Sequence, residues 1–317
     1  MPLMKIRIPH PVFILLHITL KCNRNCAWCY QKQDSFYRQH SGDMRLEAFE
    51  KILAEAKPGF FLRTHIHLFG GEPLTHPEFP VFLKICKKYN YSPTITTNGD
   101  YLREYMEIIK SSTISQLNIS LNRPGYDSLE KTYEGLLKCI ALLAKEKVIN
   151  LNFALTPGDY HLLEQVTLFF SSKFKKGAIN SFTCQHFFSR NGPSGGKIKG
   201  INVYLLEEQI KKLQKEKINF KLLFLPHIGL KDIRKYYYSE FSFRNKCYIP
   251  WLGLNIYPDL TVTAGGGVLG CNRILGDLNV TSIREIWRGE KLGSFRDSLL
   301  SQGLESRCNR CCHKLYY

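Results

Sequence analysis

Long apolar stretches are missing from this sequence of 317 residues. No run approaches the roughly 18 apolar residues that a membrane-spanning helix requires, so no membrane partner is predicted. A secretory signal is missing as well, because no small-residue cleavage site follows the short apolar segment 12–16. We therefore expect a cytoplasmic protein.

Acidic residues are also sparse, at 27 against 44 lysines and arginines, which gives a formal net charge of +17. This excess favours acidic partners such as a peptide with an acidic segment, a nucleotide or a nucleic acid. A lysine-rich surface without such a role explains the charge equally well. The hydrophobic content of 44% predicts a globular chain.

Cysteine, in contrast, is abundant, with eleven residues. Disulfides are typical of small secreted domains, and this chain has neither the small size nor the secretion signal. The odd total and the tight local spacings instead indicate metal or cluster binding in a reducing compartment.

The first two thirds of the chain alternates strand-like with amphipathic helical segments. Strands are predicted at 13–19, 65–69, 94–97, 116–122, 150–156 and 181–188. Such βα units predict a parallel sheet curved into a full or partial barrel, with functional residues at the carboxyl ends of its strands. Helices are predicted at 43–56, capped by Asp43, at 101–110 and at 126–146.

The fourth predicted strand alternates apolar and polar side chains, and Asn118, Ser120 and Asn122 share its polar face. A polar face on a strand flanked by helices indicates that this face points into a site. His65 and His67 likewise share one face of the second strand, and we expect them to line the barrel interior.

A stretch rich in glycine at 190–200 interrupts the βα pattern. We expect a core domain at 1–195, a bridging segment at 196–245 and a small domain at 246–317. The last segment contains five of the eleven cysteines.

The strongest motif is a loop after the first strand, where Cys22, Cys26 and Cys29 have the spacing C-x3-C-x2-C. Three thiolates hold three irons of a [4Fe-4S] cube and leave the fourth iron open to another ligand. A zinc site would need a fourth cysteine or histidine, and the nearest histidines, His17 and His40, lack zinc-finger spacing.

This loop, with Trp28 as its aromatic residue, resembles the CxxxCxΦC signature of the radical S-adenosylmethionine (SAM) superfamily. The second strand ends in Gly70, Gly71, Glu72 and Pro73, which is similar to the family's GGE motif. Asn98 lies in a segment similar to the family's third-strand ending. The resemblance implies that these residues contact SAM and that the three cysteines bind a [4Fe-4S] cluster.

The fourth strand resembles the S-x-D-G segment of the branch that includes sulfatase-maturating and SPASM enzymes, which implies SAM contacts for Ser120 and Asn122. Asn122 replaces the aspartate of that segment, and Glu130 stands where the branch has an arginine for the SAM carboxylate. The candidates to replace that arginine are Arg190, Arg123 and Lys131.

Four cysteines near the end of the chain have spacings that suit a common site: Cys247, Cys271, Cys308 and Cys311. They suit a fully ligated [4Fe-4S] cluster and a structural zinc equally well. The segments 257–259 and 282–287 resemble the SPASM/twitch extension of radical SAM enzymes, which implies one auxiliary cluster. Cys312 is the alternative to Cys311 as a ligand.

Three further cysteines remain. Cys86 and Cys139 lie among apolar residues of predicted helices, and we expect them in the core. Cys184, on the sixth strand, is either another core residue or a hydrogen-atom donor to a substrate radical, as in peptide epimerases of the superfamily.

The expected fold is an α/β, partial (β/α)6 TIM-like barrel followed by a small cysteine-rich twitch/SPASM-like domain. The resemblance implies reductive cleavage of SAM to a 5′-deoxyadenosyl radical, which abstracts a substrate hydrogen, with flavodoxin or ferredoxin as the one-electron reductant. A ribosomally made peptide, cross-linked, oxidised or epimerised, is the favoured substrate, and the basic surface would suit an acidic leader. The alternatives are a small alcohol or sugar, RNA, and a non-catalytic RNA-binding protein, with nucleic acid the least favoured partner.

Overall fold

The computed structural model describes residues 8–33, 35–40, 42–56, 63–123, 125–187, 198–238, 247–265 and 271–305, together with Cys308 and Cys311. Arg190, Cys312 and most of the interrupting stretch at 190–200 lie outside these ranges. Within them, no helix has both the length and the apolar character that a membrane crossing needs.

The described residues form one twisted sheet flanked by helices. Its strands are β1 (Phe13–Thr19), β2 (His65–Gly70), β3 (Thr94–Thr97), β4 (Gln116–Ser120), β5 (Val148–Leu155), β6 (Ser181–His186), β7 (Lys221–Leu225), β8 (Gly253–Ile256), β9 (Thr261–Ala264) and β10 (Ile274–Asp277). The strand order is β10-β9-β8-β1-β2-β3-β4-β5-β6-β7. Neighbours from β8 to β7 are parallel, whereas β9 is antiparallel to both β8 and β10.

Helices follow most of the strands. They are α1 (Tyr30–Gln33), α2 (Ser35–Gln39), α3 (Leu46–Glu55), α4 (Phe79–Lys88), α5 (Met106–Ser111), α6 (Leu129–Leu143), α7 (Leu163–Lys173), α8 (Val203–Leu213), α9 (Leu230–Tyr238), α10 (Ile283–Arg288) and α11 (Glu290–Ser301). The six predicted strands are confirmed, and the architecture is the expected α/β fold with a partial TIM-like barrel.

The two faces of the sheet differ in chemistry. In β4, Leu117 and Ile119 are fully buried in the apolar core, while Asn118 and Ser120 on the other face are half-buried. Apolar side chains such as Leu16 of β1 continue the buried face. The core therefore lies between the sheet and its helices, and the inner face of the barrel is largely polar, although Leu15 and Phe69 also lie on it.

A hydrogen-bond network runs along this inner face across five strands. His67 and Thr96 join through Nε2 and Oγ1 at 2.8 Å, and Asn118 reaches Thr96 at 3.4 Å. Asn150 donates to Asn118 at 3.0 Å and accepts from Ser181 at 2.8 Å. The predicted interior position of His67 is confirmed, and Nε2 of its ring is hydrogen-bonded within the protein.

The predicted cap of the first long helix is wrong. Helix α3 begins at Leu46, and no side chain caps it. The carboxylate of Asp43 instead accepts hydrogen bonds from Thr19 at 2.7 Å and from Lys21 at 2.5 Å. The Asp43 side chain therefore makes a tertiary contact with the end of β1, in place of the helix cap that the local sequence pattern predicted.

Two other helices are shorter than predicted. The segment expected to be helical at 101–110 passes through turns before α5 begins at Met106. The segment predicted at 126–146 forms α6 from Leu129, because Ser128 has extended backbone and its hydroxyl caps Lys131 N at 3.3 Å.

The C-terminal residues join the same sheet as the first strands. β8 pairs in parallel with β1, with Phe13 opposite Gly253 and Leu16 opposite Ile256. The antiparallel strands β9 and β10 extend the sheet beyond β8. As a result, β1 is a central strand whose two ends face different cysteine groups.

Candidate functional site

The cysteine loop lies at the carboxyl edge of the sheet, directly after β1. Gly71 N donates to the carbonyl oxygen of Thr19 at 2.8 Å, and Glu72 N donates to that of Lys21 at 2.8 Å. The segment after β2 therefore holds the first residues of the loop that carries Cys22.

Two glycines permit this contact. A Cβ atom on Gly70 would lie 1.9 Å from the carbonyl oxygen of Thr19, and one on Gly71 would lie 2.0 Å from that of Lys21. Gly70 also has a φ of 144°, which disfavours other residues. The Gly-Gly pair is therefore required by the close approach of two backbone segments.

Glu72 is buried beneath the loop, with its side chain fixed by three donors. Oε1 accepts from Thr97 Oγ1 at 2.7 Å and from Leu74 N at 3.2 Å, and Oε2 accepts from Asn98 N at 2.6 Å. Burial raises the pKa of Glu72 above its usual value, although these hydrogen bonds act in the opposite direction. Pro73 follows as the first residue of a short 3-10 helix.

This pocket has acceptors left for a ligand cation. Tyr30 donates its hydroxyl to the Gly70 carbonyl at 2.8 Å, whereas no hydrogen bond among the described residues ends on the Gly71 carbonyl. Oε2 of Glu72 accepts a single hydrogen bond. An ammonium group would relieve the burial of the Glu72 charge, so these atoms fit the SAM amino group.

Arg24, inside the loop, was not singled out from the sequence. Its guanidinium forms an ion pair with Asp100, in which Nε donates to Oδ2 at 2.7 Å and Nη2 contacts Oδ1. It also donates to the carbonyl oxygens of Asn98 at 3.1 Å and Asn122 at 2.9 Å. Arg24 therefore ties the cysteine loop to the ends of both β3 and β4.

Asn98 takes part in the same arrangement through its side chain. Its Nδ2 donates to Asn23 Oδ1 at 2.8 Å, and Asn23 donates to Asp100 Oδ2 at 2.8 Å. Sequence reasoning predicted a cofactor contact for Asn98. The structure uses its side chain to hold the loop and its backbone N–H to hold Glu72.

Ser120 and Asn122 both lie at this edge, but their side chains differ in availability. The Asn122 amide donates to the Ala154 carbonyl and to Asp159, each at 2.8 Å, and accepts from Ala154 N at 2.7 Å. No described hydrogen bond uses the Ser120 hydroxyl. The donor to Asp159 also explains asparagine here, because an aspartate would face another carboxylate.

The structure also distinguishes among the basic residues that were predicted to bind the SAM carboxylate. Lys131 lies on the surface of α6 and pairs with Asp127 at 3.3 Å, and Arg190 is outside the described residues. Arg123 is largely enclosed, and its Nη1 donates to the Ser120 carbonyl at 2.9 Å. Burial and the nearby Arg24 lower the pKa of Arg123, and no carboxylate pairs with it in the described chain. A ligand carboxylate would fit beside Arg123.

The three thiols of the loop share one neighbourhood. Cys22 is exposed and Cys26 and Cys29 are half-buried, with Arg24 N donating to Cys22 Sγ at 3.4 Å. Burial raises the pKa of Cys22, and charges on Glu72, Cys29 and Cys26 add to this effect. Half-buried Trp28 lies between the last two cysteines.

The second cysteine group lies at the opposite end of β1. Cys247 precedes β8, whose first residue pairs with Phe13, and Cys271 N donates to the Ala264 carbonyl at 3.2 Å. Burial raises the pKa of Cys271, and the neighbouring Cys311, Cys247 and Cys308 raise it further. All four predicted thiols are thus close enough to interact.

Local contacts close this second group. Cys311 N donates to the Cys308 carbonyl at 3.2 Å, so the two thiols lie one helical turn apart. Arg273 pairs with Glu305 at 2.5 Å and joins the segments that carry Cys271 and Cys308. Among the described residues, no three His, Cys, Asp or Glu side chains are placed to share a single metal ion.

The remaining cysteines belong to the apolar core. Cys86 and Cys139 are buried there, as predicted. Cys184 is fully buried on the outer face of β6, with Phe153 and Phe224 as its strand partners. The inner face of the barrel is on the other side, so this placement favours packing over hydrogen donation.

A loop of three thiols with an open side, next to acceptors for an ammonium group, is the arrangement expected of an iron–sulfur enzyme that binds SAM. The model of the Radical SAM superfamily matches residues 16–161, and the model of SPASM, an iron–sulfur cluster-binding domain, matches residues 247–312. The chain belongs to the radical SAM superfamily and carries a C-terminal SPASM-like domain. Its cofactors are SAM, a SAM-binding [4Fe-4S] cluster and an auxiliary cluster.

Curated relatives match parts of the chain. A GTP 3′,8-cyclase from Nautilia profundicola is 31% identical over 113 residues, which is 35% of each protein. One from Campylobacter jejuni is 24% identical over 67% of this chain and 65% of that protein. A tungsten-containing aldehyde ferredoxin oxidoreductase cofactor-modifying protein from Pyrococcus furiosus is 33% identical over 30% of this chain and 26% of that protein. The match spans less than two thirds of the length of each of these relatives.

Solved structures share the fold over nearly the whole chain. Streptococcus suis SuiB bound to its precursor peptide SuiA matches 95% of this chain and 71% of that one, at a TM-score of 0.64 and 17% identity. The structure of anSMEcpe with bound AdoMet matches 95% of this chain and 83% of that one, at a TM-score of 0.64 and 18% identity. BtrN in complex with AdoMet and 2-DOIA matches 96% and 93%, at a TM-score of 0.53 and 15% identity.

Proposed function

We propose that this radical SAM enzyme modifies a peptide. The observation that carries the proposal is the absence of charge from the inner face of β1 to β6 among the described residues. This face is lined mainly by histidine, threonine, serine, asparagine and glutamine, together with a few apolar residues such as Leu15, Phe69 and Ala154. A neutral, hydrogen-bonding lumen suits peptide groups. Most of the net charge of +17 then lies outside the lumen, where it suits an acidic leader segment.

The lumen histidines do not restore a charge. Burial and the neighbouring histidine lower the pKa of both His17 and His67 to about 3, so both rings are neutral at physiological pH. Lys221 is the first residue of β7, exposed at the amino rim and far along the strand from the cysteine loop.

Nucleotide triphosphates fit this interior poorly. A triphosphate carries about four negative charges and needs arginine, lysine or a bound cation close by. The described strands β1 to β6 offer none on the inner face. This contrast separates the proposal from GTP cyclisation, the activity named for the curated relatives.

The chain's own residues would orient SAM for the reaction. The Gly71 carbonyl and Glu72 Oε2 would accept hydrogen bonds from the SAM ammonium, and Arg123 would pair with its carboxylate. Arg24 and Asp100 would hold the cysteine loop over this pocket. When bound, the SAM-binding cluster supplies the one electron, delivered by flavodoxin or ferredoxin, with which SAM is cleaved.

A likeness of fold agrees with a peptide substrate, since SuiB is seen with its precursor peptide. A polyhydroxylated small molecule is the second candidate. The same neutral inner face of the barrel would accept hydroxyl groups, and the match covers 93% of BtrN. Both candidate substrates would react by radical SAM chemistry, and they differ in the chemical group that the inner face of the barrel would recognise.

Anaerobic turnover tests the proposal. Reconstituted, reduced protein is given SAM and, in separate reactions, GTP, a cyclitol, or synthetic peptides encoded by short reading frames next to its gene. We expect 5′-deoxyadenosine to increase with one peptide, together with a changed peptide mass or uptake of solvent deuterium. A product from GTP or the cyclitol and none from the peptides would refute the peptide assignment.

A further inference from the structure

The polar inner face of the barrel is divided into two levels. Towards the amino ends of the strands, the side chains of Asn118 and Asn150 are already engaged, because each amide oxygen accepts two hydrogen bonds and each amide nitrogen donates one. Their partners are other side chains of the network. The amide oxygens of this level are therefore used within the protein, and their hydrogen bonds hold the strands together.

The level above it is different. Asn152 lies beside Thr183 in the parallel register of β5 and β6, and Gln185 lies one step further towards the carboxyl edge, beside Ala154. All three polar side chains are half-buried. Among the described residues, no hydrogen bond uses any of these three side chains, whereas Asn118 and Asn150, one level down, each make three.

Their direction follows from strand alternation. Phe153 and Cys184, the residues between them, are fully buried in the core behind the sheet. Successive side chains of a strand point to opposite faces, so Asn152, Thr183 and Gln185 point into the barrel. They lie on the same side of the sheet as Ser120, near the edge that carries the SAM pocket.

We propose that Asn152, Thr183 and Gln185 form a recognition wall that binds peptide groups of the substrate next to the reacting residue. This inference rests on the proposed function and names the residues that select its substrate. A primary amide presents a donor and an acceptor side by side, which matches the N–H and C=O of a peptide group. The wall contains no charge, so it offers nothing to a phosphate or a carboxylate.

Half-burial makes the wall selective. A buried hydrogen-bonding group that loses water and gains no partner is unfavourable, so a substrate that pairs with both amides is preferred to one that cannot. The threonine hydroxyl adds one adaptable donor or acceptor between the amides.

A binding experiment tests the wall without turnover. The holoenzyme, with oxidised clusters and 15N-labelled asparagine and glutamine side chains, is titrated with N-acetylalanine methylamide and, separately, with inorganic triphosphate. We expect saturable shifts of the Asn152 and Gln185 amide signals with the capped amino acid and none with triphosphate. Shifts with triphosphate, or no shift of these two signals with the capped amino acid, would overturn the inference.

Variants sharpen the result. Asn152→Leu, Thr183→Val and Gln185→Leu should each weaken binding of the capped amino acid about fivefold or more. Gln165→Leu is the matched control, because Gln165 is exposed on the outer side of α7. Uncoupled SAM cleavage should remain unchanged in the Gln165→Leu control. For the three wall variants, an unchanged iron content and far-UV circular dichroism spectrum show that they are folded and carry both clusters.

The two proposals fail in different ways. If the capped amino acid binds at the wall but no peptide is modified, the proposed function fails and the wall remains. If a peptide is modified with the same KM by wild type and by the wall variants, the wall inference fails and the function remains. An increase of about tenfold in the peptide KM of the wall variants, with unchanged iron content and with an unchanged KM in Gln165→Leu, would support both.

Discussion

The two cysteine groups differ in how the chain assembles them. Cys22, Cys26 and Cys29 come from one loop of eight residues, held by backbone contacts from the segment after β2. Cys247, Cys271, Cys308 and Cys311 come from three segments that meet only after the C-terminal strands have joined the sheet. One group is local and partly open, and the other is a product of tertiary structure.

This difference matches their chemistry. A cluster that must bind SAM needs an open iron, and three thiols on an accessible loop provide it. A cluster that only transfers electrons or stabilises the fold is served by four ligands in an enclosed site. The two groups lie at opposite ends of β1, whose seven residues span about 23 Å.

The largest effect is expected from the loop group. Cys26→Ala should abolish 5′-deoxyadenosine formation, a loss of about a thousandfold or more, because SAM then has no open iron to bind. Iron should fall from about eight to about four atoms per chain in the same preparation. Cys139→Ala, in the core, is the control, and equal iron loss there would mean that the assay reports folding.

The auxiliary group should respond differently. Cys271→Ala should also lower iron to about four atoms per chain, yet uncoupled SAM cleavage should persist. The melting temperature should fall more than in Cys26→Ala, because the lost site joins three distant segments. If cleavage disappears together with the auxiliary iron, the two sites are not separable as argued.

A smaller loss is expected where the loop is held in place. Asp100→Asn removes the charge that pairs with enclosed Arg24, at a cost of about 1–2 kcal/mol, since Asp100 itself is partly exposed. Misplacement of the loop should slow SAM cleavage about tenfold. Asp127→Asn, which breaks an exposed pair with Lys131, should change neither quantity.

Cys184 belongs to neither cysteine group, so its substitution provides a reference for the comparison between them. Cys184→Ala should leave SAM cleavage and product unchanged and reduce stability by about 1 kcal/mol, as expected for a small void in the core. Urea unfolding and product analysis by mass measure the two effects. A changed product stereochemistry or loss of turnover would restore the hydrogen-donor hypothesis.

The smallest effect concerns pH. Burial alone would raise the pKa of Asp43, but hydrogen bonds from Lys21 and Thr19 outweigh it and lower the pKa. Its contribution to stability is therefore complete well above the unfolded value of about 3.9 and is lost as the pH falls through the lowered pKa. Asp43→Asn should cost at most about 1 kcal/mol in urea unfolding at pH 7, and the difference from wild type should shrink as the pH falls below about 4.

Contiguous features were predictable from sequence. The cysteine spacing, the Gly70-Gly71-Glu72 segment and the alternation in β4 each depend on neighbouring residues, and the structure brings them to one edge of the sheet. The polar interior also followed from alternation, because a period of two separates the faces of a strand.

Long-range partners were not predictable. Arg24 and Asp100 are 76 residues apart, and no local pattern marks their ion pair. The sequence correctly predicted that Asn122 lies at the carboxyl edge of the sheet. Its amide, however, is hydrogen-bonded to Ala154 and Asp159 and is not left free. The parallel pairing of β8 with β1 joins the two ends of the sequence, and only the assembled sheet defines it.

That pairing has a consequence for how the chain tolerates truncation. β8 pairs with the first four of the seven residues of β1, an apolar strand that is buried along nearly all its length. Without β8 to β10, β1 would present unpaired N–H and C=O groups on an apolar edge, which is a template for strand addition by another molecule. The auxiliary region therefore also protects the barrel against aggregation, and we expect a chain ended before Cys247 to self-associate even with an intact cysteine loop.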